Sequence, residues 1–474
     1  MISLTEIIRE FLPIRITGSN FPITETAIDS RNIIPGALFI ALEGENTDGH
    51  LFVQQAFKKG AAAAIISKNI PNFDGQIIDL RDHLAEDIKI NQNEPLCIRV
   101  ENSLKALQKI ASYWRNQLDI RVIGITGSVG KSSTKELVTD VLSYKFNTYK
   151  NPGNYNNEIG LPLTLLNLGK GYQKLVLEMG FYYPGEISFL CQISKPEIGV
   201  ITNVGTVHAE RAGSQKTIAE GKSELVASLP AAPKGKAILN YDDPFVRAMA
   251  DKTQADIIFY GLDSNADIWT DEIVGLGLGG IQMKLHWQGD SILLKVPILG
   301  RHSAQTILRA AAVGIVEGMT LEEIAAALSQ SNTQLRLVAV RTSTGALILD
   351  DTYNATPEST IAALDLLSEL KGQKIAVLGD MLELGQYEEI GHARVGEKAA
   401  KVVNFLITVG ERGRIIAETA KQAGLSPAAV TCVQDATAAS NLLRYNLKSD
   451  DIVLVKGSHG LRMDRISTIL EDAK

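Results

Sequence analysis

From about residue 98 onward, β-branched apolar runs alternate with helical patterns, and this rhythm constrains the fold more than any other feature. SLKALQKIASYWRNQL reads as a helix, RVIGIT as a buried strand and TKELVTDVLSYKF as the next helix. KLVLEM, IGVITNV and KAILNY continue the series. Strands separated by helices build a parallel sheet covered on both faces, because each crossover lays a helix across the sheet. IIFYGL, IQMKLHW and SILLKVPIL, between residues 257 and 300, lie closer together and predict an antiparallel extension. Two helices, AQTILRAAAVGIVEG and TLEEIAAALSQ, precede a break at SNTQLR. Beyond it ALILDD, KIAVLG, FLITVG and DIVLVKG alternate with helices again, a second doubly wound unit. Before residue 98, the runs ALFIAL, AAAAII and GQIIDL predict a small α/β unit, and the polar stretch EDIKINQNEP reads as a linker.

The chemistry starts at ITGSVGKSST, residues 125–134. A strand, a glycine-containing turn and a helix start form a phosphate-binding loop. Gly127 and Gly130 let the backbone turn its N–H groups toward an anion, and the helix N-terminus adds its positive end. Lys131 could reach β/γ-phosphates, and the Ser132 hydroxyl suits Mg²⁺. The generic motif would have glycine where Ile125 stands. An ordinary strand–helix turn containing Gly-Lys is the plainer alternative, but Gly-Lys-Ser-Ser at a helix start has little structural purpose otherwise. No N-K-x-D guanine signature is present, which disfavours a GTPase. The expected fold class is α/β with three domains: a small α/β domain (1–97), a central phosphate-loop parallel-sheet ATPase domain (98–332) and a Rossmann-like doubly wound domain (333–474).

Charge and cysteine usage exclude several classes. A formal net charge of −7 argues against a dominant nucleic-acid surface. Cys97, Cys191 and Cys432 lie far apart, which fits a reducing cytoplasm and offers neither a zinc site nor a disulfide framework. Charges interrupt the apolar N-terminus, so no signal peptide is expected, and no uncharged run approaches the roughly 20 residues that span a bilayer. A cytoplasmic monomer without membrane insertion is the expectation.

Three more segments carry candidate groups. NPGNYNNEIGLPLTLL is rich in asparagine and glycine, though composition alone suits a surface turn. Glu178 ends the apolar strand KLVLEM, a natural place for a metal ligand or for a solvated edge carboxylate. His208 and Glu210 follow IGVITNV at its carboxyl end, where open α/β sheets bind ligands; a single histidine there is as often structural.

Together TGSVGKSSTKE, GNYNNEIGLP, ITNVGTVHAE, EGKSEL, LNYDD, GRHS, DDTYNATPES, VLGDMLELG and VKGSHGLRMD occur in an order that resembles the ATP-dependent Mur ligases. The resemblance covers essentially the whole chain, including AIDSRNIIPGALFIALEGENTDGH, which is similar to a uridine-nucleotide-binding domain. That family's loop reads TGxxGK[ST][ST], so Ile125 is no defect within it. DDTYNATPES and GDMLELG, in place of a DNPR signature, resemble the dipeptide-adding branch. The implied activity joins D-alanyl-D-alanine to UDP-N-acetylmuramoyl tripeptide. ATP phosphorylates the peptide carboxylate, and the dipeptide amine attacks the acyl phosphate, giving the pentapeptide of peptidoglycan synthesis.

The resemblance also implies roles. Gly127, Ser128, Val129, Gly130, Lys131, Ser132 and Ser133 would hold the phosphates. Ser132 and Glu178 would bind one Mg²⁺, His208 would take a second near the carboxylate to be activated, and Lys222 would act as a metal-bridging carbamate. Asn240 would stand on the adenine side, with Arg336, Asp351 and Asn354 closing over the nucleotide. Asn156, Asn157, Lys456, Ser458 and Arg462 would face the substrates; Ser30, Arg31, Gly49 and His50 would contact the uridine diphosphate, although His50 could equally cap a turn. One departure stands out: the family's G-x-H-N-x-x-N appears as GRHSAQT, with Ser303 and Thr306 at the asparagine positions, which puts that helix's adenine contacts in doubt. A folylpolyglutamate-type ligase is the enzymatic alternative, set apart by the N-terminal domain. A nucleotide-binding scaffold without turnover is the other, disfavoured by the intact Lys131, Ser132, Glu178, His208 and Lys222.

Overall fold

The fold was analysed in a computed structural model that describes residues 2–11, 15–18, 20–81, 87–91, 94–206, 209–331, 337–444 and 446–471. Its backbone contacts divide into two compact units, one of residues 1–124, 146–180 and 186–197, the other of 125–145, 181–185 and 198–474.

In the first unit, five short parallel strands form one sheet in the order Thr26–Ala27, Leu38–Ile40, Ala63–Ile66, Leu96–Arg99, Gln76–Asp79. Phe39, Val53, Ala56, Ala64 and Cys97 pack into its core. The polar stretch read as a linker instead carries the strand Asp87–Ile90, which pairs in parallel with Arg15–Gly18. Ile88 and Ile90 supply the alternate apolar positions that the polar composition masked, and both are buried. The helix Ser103–Asn116 starts where the Asn102 side chain accepts from Lys105 N, and buries Trp114, whose indole donates to Leu168 O at 3.0 Å. Lys174–Glu178 pairs in parallel with Thr148–Lys150.

In the second unit, Ile198–Ile201, Lys236–Asn240, Asp256–Gly261 and Ile268–Gly275 run parallel, and Ile281–Trp287 and Asp290–Val296 close that side as an antiparallel hairpin. IIFYGL was expected in the antiparallel extension; it is parallel because helical turns at Pro244–Lys252 carry the chain back before the strand begins. The C-terminal sheet has the order Val338–Arg341, Leu347–Asp351, Asp451–Lys456, Gln373–Gly379, Phe405–Val409, Val430–Val433, parallel except for its first pair. Its strands bury both faces. Leu349, Leu378 and Leu454 point into one core, and Ile348, Val377 and Val453 into the other. The last strand of the chain inserts between two earlier ones, so Asp351 and Lys456 meet at neighbouring carboxyl ends.

Leu378 is fully buried in this sheet. Leu378→Ala should lower stability by about 2–5 kcal/mol, read from denaturant unfolding followed by a probe of the C-terminal core. A change below about 1 kcal/mol would contradict this packing.

Candidate active site

The phosphate loop joins the strand Arg121–Thr126 to the helix Lys131–Ser143. Gly130 occupies the helix N-cap at φ +85, a left-handed geometry that glycine adopts without strain. Gly127 lies at φ +148, and a Cβ there would overlap Thr202 Oγ1. Two residues beyond the strand Ile198–Ile201 fix the loop from the side. Thr202 Oγ1 donates to Val129 O at 2.7 Å, and Asn203 Nδ2 donates to the same carbonyl at 3.0 Å. Asn203 Oδ1 accepts from Val129 N at 2.9 Å, and Asn203 O accepts from Ser128 N at 2.9 Å. The Ser128 hydroxyl accepts from Gly205 N at 2.8 Å. Lys131 folds back onto the loop, its Nζ donating to Gly127 O at 2.8 Å and to Ser128 O at 3.1 Å. Ser132 and Ser133 follow on the first turn of the helix, half-buried.

Lys222 lies on the helix Gln215–Ala227, 1% exposed, with its Nζ 4.9 Å from the centre of the Phe181 ring. No hydrogen-bond partner meets that Nζ among the described residues. Burial, reinforced by the charge of Lys131, holds its pKa well below the ordinary lysine value. A buried amine whose pKa is lowered is suited to carbon dioxide addition, because the unprotonated form is the one that reacts.

Asn240 is buried and lines a cleft of about 410 Å³ together with Asn203, Asp242, Phe245 and Gln305. Its amide is bonded inside the fold: Nδ2 donates to Thr202 O at 2.9 Å, and Oδ1 accepts from Asp242 N at 3.0 Å. The doubt over GRHSAQT resolves into geometry. Ser303 donates to Leu299 O at 2.7 Å, and Thr306 accepts from Arg309 at 2.7 Å, so neither presents an amide to the cleft. Gln305 does, donating to Asp242 Oδ2 at 3.0 Å.

In the C-terminal domain Lys456 is 2% exposed and its Nζ donates to Asp351 Oδ2 at 2.6 Å and Asn354 O at 2.8 Å. Ser458 fixes the GDMLELG turn by accepting from Leu382 N at 3.0 Å. Arg462 stands apart, exposed and paired with Asp464.

The remaining candidates belong to the first unit. Glu178 is 3% exposed; its Oε1 accepts from Asn156 Nδ2 at 2.9 Å. Asn151, which sequence reading passed over, accepts from Glu178 N at 2.9 Å and donates to Glu178 O at 3.2 Å. Asn157 Oδ1 accepts from Gly160 N at 2.9 Å at the start of the helix Gly160–Leu166. Ser30 donates to Gln55, and exposed Arg31 forks onto Asp29, holding that carboxyl down at about 2. Gly49 packs its backbone against Leu42. His50 is enclosed: Nδ1 bonds Asp48 at 2.6 Å and Nε2 accepts from Ser67 N at 2.9 Å, so both ring nitrogens are engaged within the domain. The cap of this turn is Asp48, whose side chain accepts from His50 N. His208 and Arg336 lie outside the described residues.

Among the described residues no group of three or more His, Cys, Asp or Glu side chains could hold a metal ion. The implied Mg²⁺ set is instead a hydroxyl, one carboxylate, His208 and a modified lysine. The orphaned Nζ of Lys222 fits that set, because a carbamate there would give the hard oxygen donor that Mg²⁺ prefers.

Three family models match the chain: Mur ligase family, catalytic domain, at 22–115; Mur ligase middle domain at 125–314; and Mur ligase, glutamate ligase domain, at 335–459. A UDP-N-acetylmuramoyl-tripeptide–D-alanyl-D-alanine ligase of Bacillus subtilis is 35% identical over 450 residues, covering 93% of this chain and 91% of its own. MurF from Acinetobacter baumannii superposes with a TM-score of 0.82 at 28% identity, covering 98% of both chains. A MurF ligase from Thermotoga maritima in complex with ADP gives 0.80 at 27% identity, covering 95% of this chain and 98% of that one. Glycine-built loop, sheet order and whole-length similarity agree: the chain belongs to the Mur ligase family.

Proposed function

We propose that the chain is an ATP-dependent, ADP-forming ligase that joins D-alanyl-D-alanine to UDP-N-acetylmuramoyl tripeptide. The observation that carries this reading is similarity along nine-tenths of the chain to a ligase named for that reaction. The N-terminal match at 22–115 favours it over a folylpolyglutamate-type ligase, for which a uridine-nucleotide domain is not expected.

A carboxylate is a poor acceptor for an amine because its leaving group would be oxide. In the proposed reaction one carboxylate oxygen attacks the γ-phosphorus of ATP, and ADP leaves. The dipeptide amine then attacks the acyl carbon, the C–O bond to phosphate breaks, and a proton leaves the nitrogen. The products are the amide, ADP and inorganic phosphate. Of the loop amides, those of Ser128 and Val129 are held by Asn203, which leaves the glycine turn and the N-terminus of the helix suited to holding the phosphates, with Lys131 turning from the loop carbonyls to the transferred group. Mg²⁺ would neutralise phosphate charge when bound, one ion held by Ser132 and Glu178 and a second by His208, with carbamylated Lys222 as the further anionic ligand. Lys456, screened by Asp351, offers a positioned cation at the carboxyl end of the C-terminal sheet, and Ser458 and Arg462 lie on the same segment. Asn156 and Asn157 fall on the substrate side of this scheme, and Ser30, Arg31, Gly49 and His50 on the uridine-nucleotide side.

The domain limits 1–97, 98–332 and 333–474, a monomeric state and a cytoplasmic location belong to the same proposal. No helix among the described residues is long and apolar enough to cross a membrane.

Phosphate release from ATP by the full chain should require both UDP-N-acetylmuramoyl tripeptide and D-alanyl-D-alanine for sustained turnover; release indifferent to either would refute the reading. Incubation with ¹³C-bicarbonate should give a carbamate carbon signal in NMR spectra that Lys222→Arg lacks. A spectrum unchanged by the substitution would remove the carbamate from the scheme.

A further inference from the structure

Behind the phosphate loop lies a buried cation that the scheme above does not use. Arg309, on the helix Ala304–Val316, is 3% exposed. Its guanidinium meets three hydroxyls: Nε donates to Thr134 Oγ1 at 2.8 Å, Nη2 to Thr306 Oγ1 at 2.7 Å and Nη1 to the Tyr260 hydroxyl at 3.3 Å. Among the described residues no carboxylate lies within ion-pair distance of it. The acids nearest along these contacts serve backbone amides: Asp242 accepts from Leu262 N, and Asp243 accepts from Val204 N and Phe245 N. A buried charge without a counter-ion is costly, and arginine cannot shed its proton to escape the cost.

Position says what could balance it. Nη2 lies 3.2 Å from where a Cβ on Gly130 would stand, so the charge rests directly against the loop. Two relays connect them. Thr134 accepts from Arg309 and donates to Gly130 O at 2.6 Å. Tyr260, fully buried, donates to Ile201 O and Thr202 O at 2.9 Å each, the strand end that clamps the loop. Thr306 completes the seat at one of the positions where the chain departs from its family's asparagines.

We propose that Arg309 is a positioning residue for the polyphosphate. It is a fixed positive charge behind Gly130 whose counter-ion arrives with the nucleotide, and it holds the helix N-cap through Thr134. The proposal rests on the phosphate-loop reading. It goes beyond that reading by placing part of the phosphate affinity on a residue of another helix that need not touch the ligand. At this separation, in a poorly hydrated interior, a unit charge acts far more strongly than across water.

The test is titration calorimetry of the full chain with inorganic tripolyphosphate at fixed ionic strength, alongside steady-state kinetics in ATP. Circular dichroism of each variant confirms folding. Arg309→Gln should weaken tripolyphosphate binding at least tenfold and raise the KM for ATP by a similar factor, with the KM for D-alanyl-D-alanine unmoved. Arg309→Lys, which keeps the charge but loses the fork, should stay within about threefold of wild type. A general packing defect would not separate the two variants or the two substrates. Tripolyphosphate binding that needs Lys131 but tolerates Arg309→Gln within twofold overturns this proposal alone. Binding indifferent to Lys131→Ala overturns the phosphate-loop reading and this proposal with it. Should Arg309→Gln fail to fold, Arg309→Lys decides: a tenfold loss in that variant refutes the charge role.

Discussion

Thr202 and Asn203, the two residues past the strand Ile198–Ile201, hold the shape of the phosphate loop. A loop that must offer its N–H groups to an anion cannot satisfy them within itself, so its geometry has to be imposed from a neighbouring element. Here Asn203 bonds both the N–H and the carbonyl of Val129, through an amide that is donor and acceptor at once. Thr202 takes the space where a side chain on Gly127 would stand, which makes the absence of a Cβ there a packing requirement. Asn240 in turn fastens the Thr202 carbonyl, and Gln305 reaches Asp242 across the same cleft. Cleft and loop are therefore one hydrogen-bonded frame in the second unit.

The distribution of charge follows from that frame. Three cations are gathered around the loop's unit with different counter-charges. Lys131 rests on loop carbonyls, Lys222 is held toward neutrality by burial, and Arg309 is surrounded by hydroxyls. Lys456, by contrast, has a carboxylate at 2.6 Å. Arg309, whose partners are hydroxyls, has no ion pair to give up when an anion binds nearby. Burial also lowers the Lys222 pKa, and the unprotonated amine is the form that adds carbon dioxide, so burial favours the role that resemblance implies.

Much of the fold was legible because apolar period marks buried strands directly. Within Leu347–Asp351 and Asp451–Lys456, the stretches 347–349 (LIL) and 452–455 (IVLV) are unbroken apolar runs, as a sheet covered on both faces demands. Asp87–Ile90 was missed since its alternate positions are charged, and the direction of Asp256–Gly261 depended on a helical return that its own residues do not encode. At the site, the tight turn at Gly127 and Gly130 was legible, because both positions take a positive φ that glycine adopts without strain. Asn203, Asn151, Gln305 and Arg309 were not. They act from other segments, and nothing in a single sequence links Arg309 to Gly130 across 179 positions. Thr306, one turn before Arg309 on the same helix, accepts from that arginine's Nη2, a contact that its residue type alone does not announce.

The central claim is that ATP bound at this loop activates a peptide carboxylate by phosphorylation. UDP-N-acetylmuramoyl tripeptide labelled with ¹⁸O in its terminal carboxylate tests it most directly. Turnover with ATP and D-alanyl-D-alanine should place one ¹⁸O atom in each molecule of released phosphate, because the oxygen that attacks phosphorus leaves with it. Phosphate carrying no label, with turnover intact, would contradict the account.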